Sequence, residues 1–136
     1  MKTLPPKKTK KSDAAREFAI AAARLAKHDN CEDIIVLDLR GVSPITDYFV
    51  IATGTSDRQM RSVADDIAEH GKKNDHKLWK MAGEETSEWI VMDFVDVVVH
   101  LFDAQHRRYY DLELIWGEAP KVRWQQRATK AKPAEE

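Results

Sequence analysis

The chain has 136 residues, a net charge of −1, 43% hydrophobic residues and a single cysteine, Cys31. That length suffices for one self-supporting core, and one thiol excludes an internal disulfide framework and a Cys-rich zinc cluster. No apolar run approaches the ~20 residues of a membrane-spanning helix, so no membrane association is expected.

Residues 1–11 carry five Lys and no acid. Rich in Lys and Pro with little to bury, they are expected to form a disordered basic arm rather than a secretory signal. Ser12 or Asp13 then caps a predicted helix with Ala14, Phe18, Ala21, Ala22 and Leu25 on its apolar stripe, stopping near Asn30. So many alanines suit close packing against a flat surface such as a sheet. Ile34-Ile35-Val36-Leu37 reads as a strand covered on both faces, and Gly41 and Pro44 punctuate the loop that follows.

Tyr48–Thr53 reads as a second buried strand, and Ser56 with Gln59 forms a capping-box pattern at the start of a helix. That helix places Met60, Val63, Ala64, Ile67 and Ala68 on one face and ends at Gly71 and the polar residues after it. Leu78–Met81 is expected as a short edge strand. Trp89–Phe94 and Val97–Phe102 are separated by only Val95-Asp96 and are expected to pair as an antiparallel hairpin. A last short helix is expected over about Ala104–Ile115, its buried side being Tyr109, Leu112 and Trp116. Residues 118–136 read as a polar basic tail. Residues 12–116 hold 12 bases against 20 acids, an acidic body between two basic ends. Such a body repels a nucleic-acid backbone and suits a basic protein partner. The fold class is α/β, a single small domain over residues 12–117 with a mixed sheet of about five strands flanked by helices.

Several places invite chemistry. Gly54-Thr55-Ser56 stands between a strand and a helix start, where backbone N–H groups can cradle a phosphate. The same step opens nucleotidyltransferase folds, in which a carboxylate pair holds magnesium. Asp93 and Asp96 are three apart across a turn, so their side chains need not converge, and a capped helix is the simpler reading. No P-loop run is present. His100 can be set against Asp38 or Asp93 as an acid–base couple, or be a hydrogen-bonded structural residue. The hairpin carries more. Trp89, Val91 and Asp93 alternate with Ile90, Met92 and Phe94, and Glu84, Glu85, Glu88, Asp93, Asp96 and Asp103 crowd the region. Aromatic anchors among acids form a site for a basic protein, or else a core Trp with a solvated rim.

The string Asp33-Ile34-Ile35-Val36-Leu37-Asp38-Leu39-Arg40-Gly41 followed by Ser43–Ser56 closely resembles the ribosomal silencing factor (RsfS, Iojap-related) family. Gly83-Glu84, Glu88–Phe94, Asp96–His100 and Tyr109–Trp116 extend the resemblance over about Ser12–Gly117. The resemblance implies a nucleotidyltransferase-like architecture without its catalytic equipment: no enzyme, no metal and no cofactor. It implies a cytoplasmic translation repressor that binds the large ribosomal subunit through its fourteenth ribosomal protein (uL-fourteen). By occupying that face it blocks small-subunit joining under nutrient limitation. A homodimer off the ribosome and a role in subunit biogenesis are implied as well. Mapped onto this sequence, the partner-binding residues are Trp89, Asp93, Phe94, Asp96 and His100, with Asp47 and Tyr48 as weaker members. The residue alternatives are a nucleotidyltransferase-like nucleotide-binding enzyme and a large-subunit assembly factor. One departure is Val95, where the family usually has Gly. A β-branched side chain tolerates positive φ badly, so the turn is expected to adopt another conformation.

Overall fold

A computed structural model describes residues 10–110, 116 and 118–125 of the chain. The elements in order are α1 (Lys10–His28), β1 (Glu32–Asp38), β2 (Tyr48–Thr53), α2 (Asp57–Lys73), β3 (Lys80–Ala82), β4 (Trp89–Asp93), β5 (Val97–Phe102) and α3 (Ala104–Tyr110). The expected mixed sheet is present, five strands in the order β1-β2-β5-β4-β3. Only β2 and β5 run parallel; β1 pairs β2, and β4 pairs both β5 and β3, antiparallel.

Helix α1 starts two residues earlier than the capping signal suggested. Its buried row is Ala15, Phe18, Ala19, Ala22, Ala23 and Ala26, so the expected stripe is turned slightly: Ala14, Ala21 and Leu25 lie at its margin, half-buried. The alanines let α1 lie close to β1 and β2, as their number implied. Its end is a Schellman motif: Asn30 takes φ +74, its N–H bonds Lys27 O at 3.0 Å, and Cys31 N–H bonds Ala26 O at 2.9 Å. Helix α2 buries Met60, Val63, Ala64 and Ile67 as expected, and continues past the buried Gly71 to Lys73. Both helices pack on one face of the sheet, over Val36, Val50, Val99, Ile90 and Met92.

The chain beyond Gly117 corrects the expected tail boundary. Lys121 bridges Leu37, Asp38 N–H bonds Pro120 O at 2.8 Å, and Val122 N–H bonds Val36 O at 2.8 Å. Val122 and Trp124 are buried in the helix-side core, and Trp124 Nε1 donates to Ile34 O at 3.2 Å. Residues 118–125 therefore cover the free edge of β1, which would otherwise present unpaired backbone groups. The alternation Val122, Trp124 against Lys121, Arg123 is the strand signal that the basic composition masked. The expected arm over residues 1–9, the end of the last helix with Leu112, and residues 126–136 lie outside the described residues, as does the Tyr109 side chain.

Candidate partner-binding face

The sheet face turned away from α1 and α2 carries a second core of Leu37, Leu39, Ile51, Phe102 and Ala119. The half-buried Ile35, Phe49, Trp89 and Trp116 pack on it. Trp89 and Phe102 are directly opposed across β4 and β5, and their rings stack with centroids 5.0 Å apart. His100 lies diagonally from Trp89 and opposite Val91 and Ile51. Phe49 meets the His100 ring edge-on at 4.5 Å, and Trp116 meets Phe49 at 5.9 Å.

His100 fixes the indole. Trp89 Nε1 donates to His100 Nδ1 at 3.0 Å, which requires a lone pair on Nδ1 and hence the neutral Nε2–H tautomer. The ring is only 6% exposed, and Nε2 has no hydrogen-bond partner among the described residues. Burial alone lowers its pKa to about 4. His100 is thus an uncharged orienting residue. Neither Asp38 nor Asp93 serves it as an acid–base partner. Asp38 binds the Arg40 guanidinium at 2.9 and 2.7 Å, and Asp93 Oδ1 accepts the Val95 N–H at 2.7 Å.

The loop before β4 sets where Trp89 emerges. Gly83 has φ +91, and a Cβ there would run into the Trp89 carbonyl, so only Gly closes this turn. Four of the six acids expected to crowd the hairpin separate into two groups. Glu88 and Asp103 stand at the Trp89 end, where His106 Nδ1 lies 2.8 Å from Asp103 and Nε2 lies 3.6 Å from Glu88. Asp93 and Asp96 stand at the opposite end of β4 and β5.

The sequence-derived site residues fall into three places. Trp89 and His100 meet at the centre of the open face. Asp47, Asp93 and Asp96 gather at the β4–β5 turn, where Asp96 O accepts both Asp47 N–H (3.0 Å) and Tyr48 N–H (3.1 Å). Phe94 and Tyr48 join neither group. Phe94 is 5% exposed and packs against Phe18 of α1 at 4.7 Å, and Tyr48 is fully buried in the same core. Strand alternation sends Phe94 to the helix side, so it cannot share a contact surface with Trp89. The Val95 expectation is also corrected. Val95 does take φ +77, and Asp96 N–H bonds Phe94 O at 3.0 Å, a three-residue γ-turn centred on a β-branched residue. Sequence reasoning did not place Phe49, Phe102 or Trp116 in the aromatic group; the period-2 alternation of β2 and β5 assigns the first two to this face.

The Gly54-Thr55-Ser56 step is occupied by its own chain. Ser56 Oγ accepts Gln59 N–H at 3.0 Å, Gln59 Oε1 accepts Thr55 N–H at 2.9 Å, and Gly54 N–H bonds Phe102 O at 2.7 Å. A Cβ on Gly54 would collide with Met60, so this glycine serves packing. The step is a reciprocal cap shifted by one residue, and the Gly54 and Thr55 N–H groups are spent within the chain.

A family model described as "Ribosomal silencing factor during starvation" matches residues 12–136. The chain is 40% identical over 99 residues to the ribosomal silencing factor RsfS of Bacillus subtilis, covering 73% of this chain and 84% of that protein. It is 32% identical over 107 residues to the RsfS of Halalkalibacterium halodurans, covering 79% and 92%. Among solved structures, a crystal structure of a Chromobacterium violaceum protein superposes with a TM-score of 0.73 at 30% identity, covering 85% of this chain and 96% of that one.

Proposed function

Because the chain belongs to the ribosomal silencing factor family, we propose that it binds the large ribosomal subunit through the open sheet face and thereby blocks small-subunit joining. The partner is a basic protein on the intersubunit surface, the fourteenth large-subunit protein. The mechanism is steric occlusion, lowering translation when nutrients are short, and no covalent step is assigned.

The observation that carries this reading is Trp89. A half-buried indole, stacked on Phe102 and oriented by a neutral His100, is an anchor whose conformational entropy is already lost before binding. Acids at both ends of the strip, Glu88 and Asp103 at one and Asp47, Asp93 and Asp96 at the other, complement a basic partner. Phe94 and Tyr48, being core residues, are left out of the contact set.

The test is co-sedimentation with purified large subunits. Wild-type protein is expected to pellet with free large subunits and not with assembled ribosomes. Trp89→Glu should weaken the association at least about tenfold, as loss of a central aromatic anchor does, while circular dichroism stays native. Unchanged binding by this variant would overturn the assignment of the face.

A further inference from the structure

Among the described residues four large hydrophobic side chains are markedly exposed: Trp79 (68%) stands just before β3, its N–H bonded to Asp93 O at 2.8 Å, and the other three stand on the two loops at the same end of the sheet. These are Val42 (50%) and Ile45 (83%) in the loop between β1 and β2, and Val95 (54%) in the β4–β5 turn. The two loops are joined by hydrogen bonds from Asp47 and Tyr48 N–H to Asp96 O, so the three side chains crown one tip. Ser43 Oγ accepts the Ile45 N–H at 3.1 Å and ties the first loop into shape. Val95 is held at φ +77, a conformation that β-branched residues avoid, yet about half of the residue faces solvent. The backbone cost therefore returns little packing inside the folded monomer.

We infer that this tip is a second contact point on the same basic large-subunit protein, reached along the sheet face from Trp89. The inference rests on the proposed docking of the open face. Three observations select this occupant. The tip is continuous with the Trp89 face through the half-buried Val91 and Val98, about 13 Å of strand separating Trp89 from Asp93. Its surroundings are acidic: Asp47, Asp93 and Asp96 flank it, and the neighbouring Arg40 is held by Asp38. Its three side chains offer on the order of 300 Å² of apolar surface, far below the ~800 Å² per partner of a stable free-standing interface. The patch is too small to pair two copies by itself and is the right size for one end of a longer contact.

The experiment titrates labelled full-length protein with purified large subunits for wild type, Ile45→Ser, Val95→Asn and Trp89→Glu. Asn takes positive φ more readily than a β-branched residue does, so Val95→Asn removes the apolar surface at no added backbone cost. Each tip substitution is expected to raise Kd about three- to tenfold, with melting temperatures equal to or above wild type. Wild-type Kd for both tip variants, with binding lost in Trp89→Glu, overturns the tip contact and leaves the proposed function standing. Wild-type Kd for Trp89→Glu as well overturns the proposed function. Sedimentation velocity supplies a further arm: a wild-type dimer that Ile45→Ser dissociates would assign the tip to a second copy and overturn the inference.

Discussion

On the helix-covered side of the sheet, Ala19, Ala22, Val50, Val99 and Ile90 close the space between backbone layers and leave nothing exposed. On the opposite side, Phe49, Trp89 and Trp116 lie half-buried, and the polar His100 sits among them. On the first face small and branched side chains suit permanent contact between helix and strand, and its rings, Phe18, Tyr48, Phe94 and Trp124, are all buried. The second uses large flat rings, which leave surface to offer after their own packing is complete. Phe94 and Trp89 make the contrast testable, because one hairpin strand and its turn send them to opposite sides. Phe94→Ala is expected to cost about 3–5 kcal/mol of stability, since it opens a cavity against Phe18. Trp89→Ala should cost only about 1–2 kcal/mol, the loss of a half-buried ring, while removing large-subunit binding. Urea denaturation and co-sedimentation on the two variants separate folding from docking. Equal stability losses would mean that the two faces are one core.

His100 sharpens the comparison by pH. Its pKa in the fold is depressed to about 4 from the ordinary 6.5 by burial. A base with a depressed folded pKa stabilises the fold fully above the unfolded value and loses that contribution as pH falls towards the folded one. Between pH 7 and pH 5 the unfolded chain takes up a proton that the fold refuses, so stability should drop by about 2 kcal/mol. Protonation at still lower pH removes the acceptor for the Trp89 indole. Chemical denaturation across this range measures the slope, and His100→Phe, which cannot titrate, should flatten it. An unchanged slope in that variant would locate the proton uptake elsewhere.

Much of this was legible in the sequence. Strands β2, β4 and β5 announce themselves through continuous β-branched runs, the caps through Ser56, Gln59 and Asn30, and the hairpin through its two-residue connection. Local patterns fail where the deciding contact is distant. Residues 118–125 look like a tail because Lys121 and Arg123 dominate their composition, yet Val122 and Trp124 bury against a strand some 85 positions earlier. The candidate site was half legible. Its residues could be named from the family resemblance, but Phe94 was expected beside Trp89 although alternation already placed it on the other side.

Val95 gives the smallest and most discriminating effect. A left-handed L-residue costs about 1–2 kcal/mol, with β-branched residues at the upper end. Glycine removes that cost but surrenders roughly 0.5–1 kcal/mol of unfolded-chain entropy. Val95→Gly should therefore stabilise the domain by about 1 kcal/mol, read as a rise in denaturation midpoint with unchanged slope. The half-exposed side chain has little packing to lose in exchange. A substitution that strengthens the fold while weakening large-subunit binding would show that the valine is retained for what it touches outside the monomer. If Val95→Gly instead lowers stability, the side chain is packing within the tip, and the contrast between a closed helix face and an outward-looking one fails at this end of the sheet.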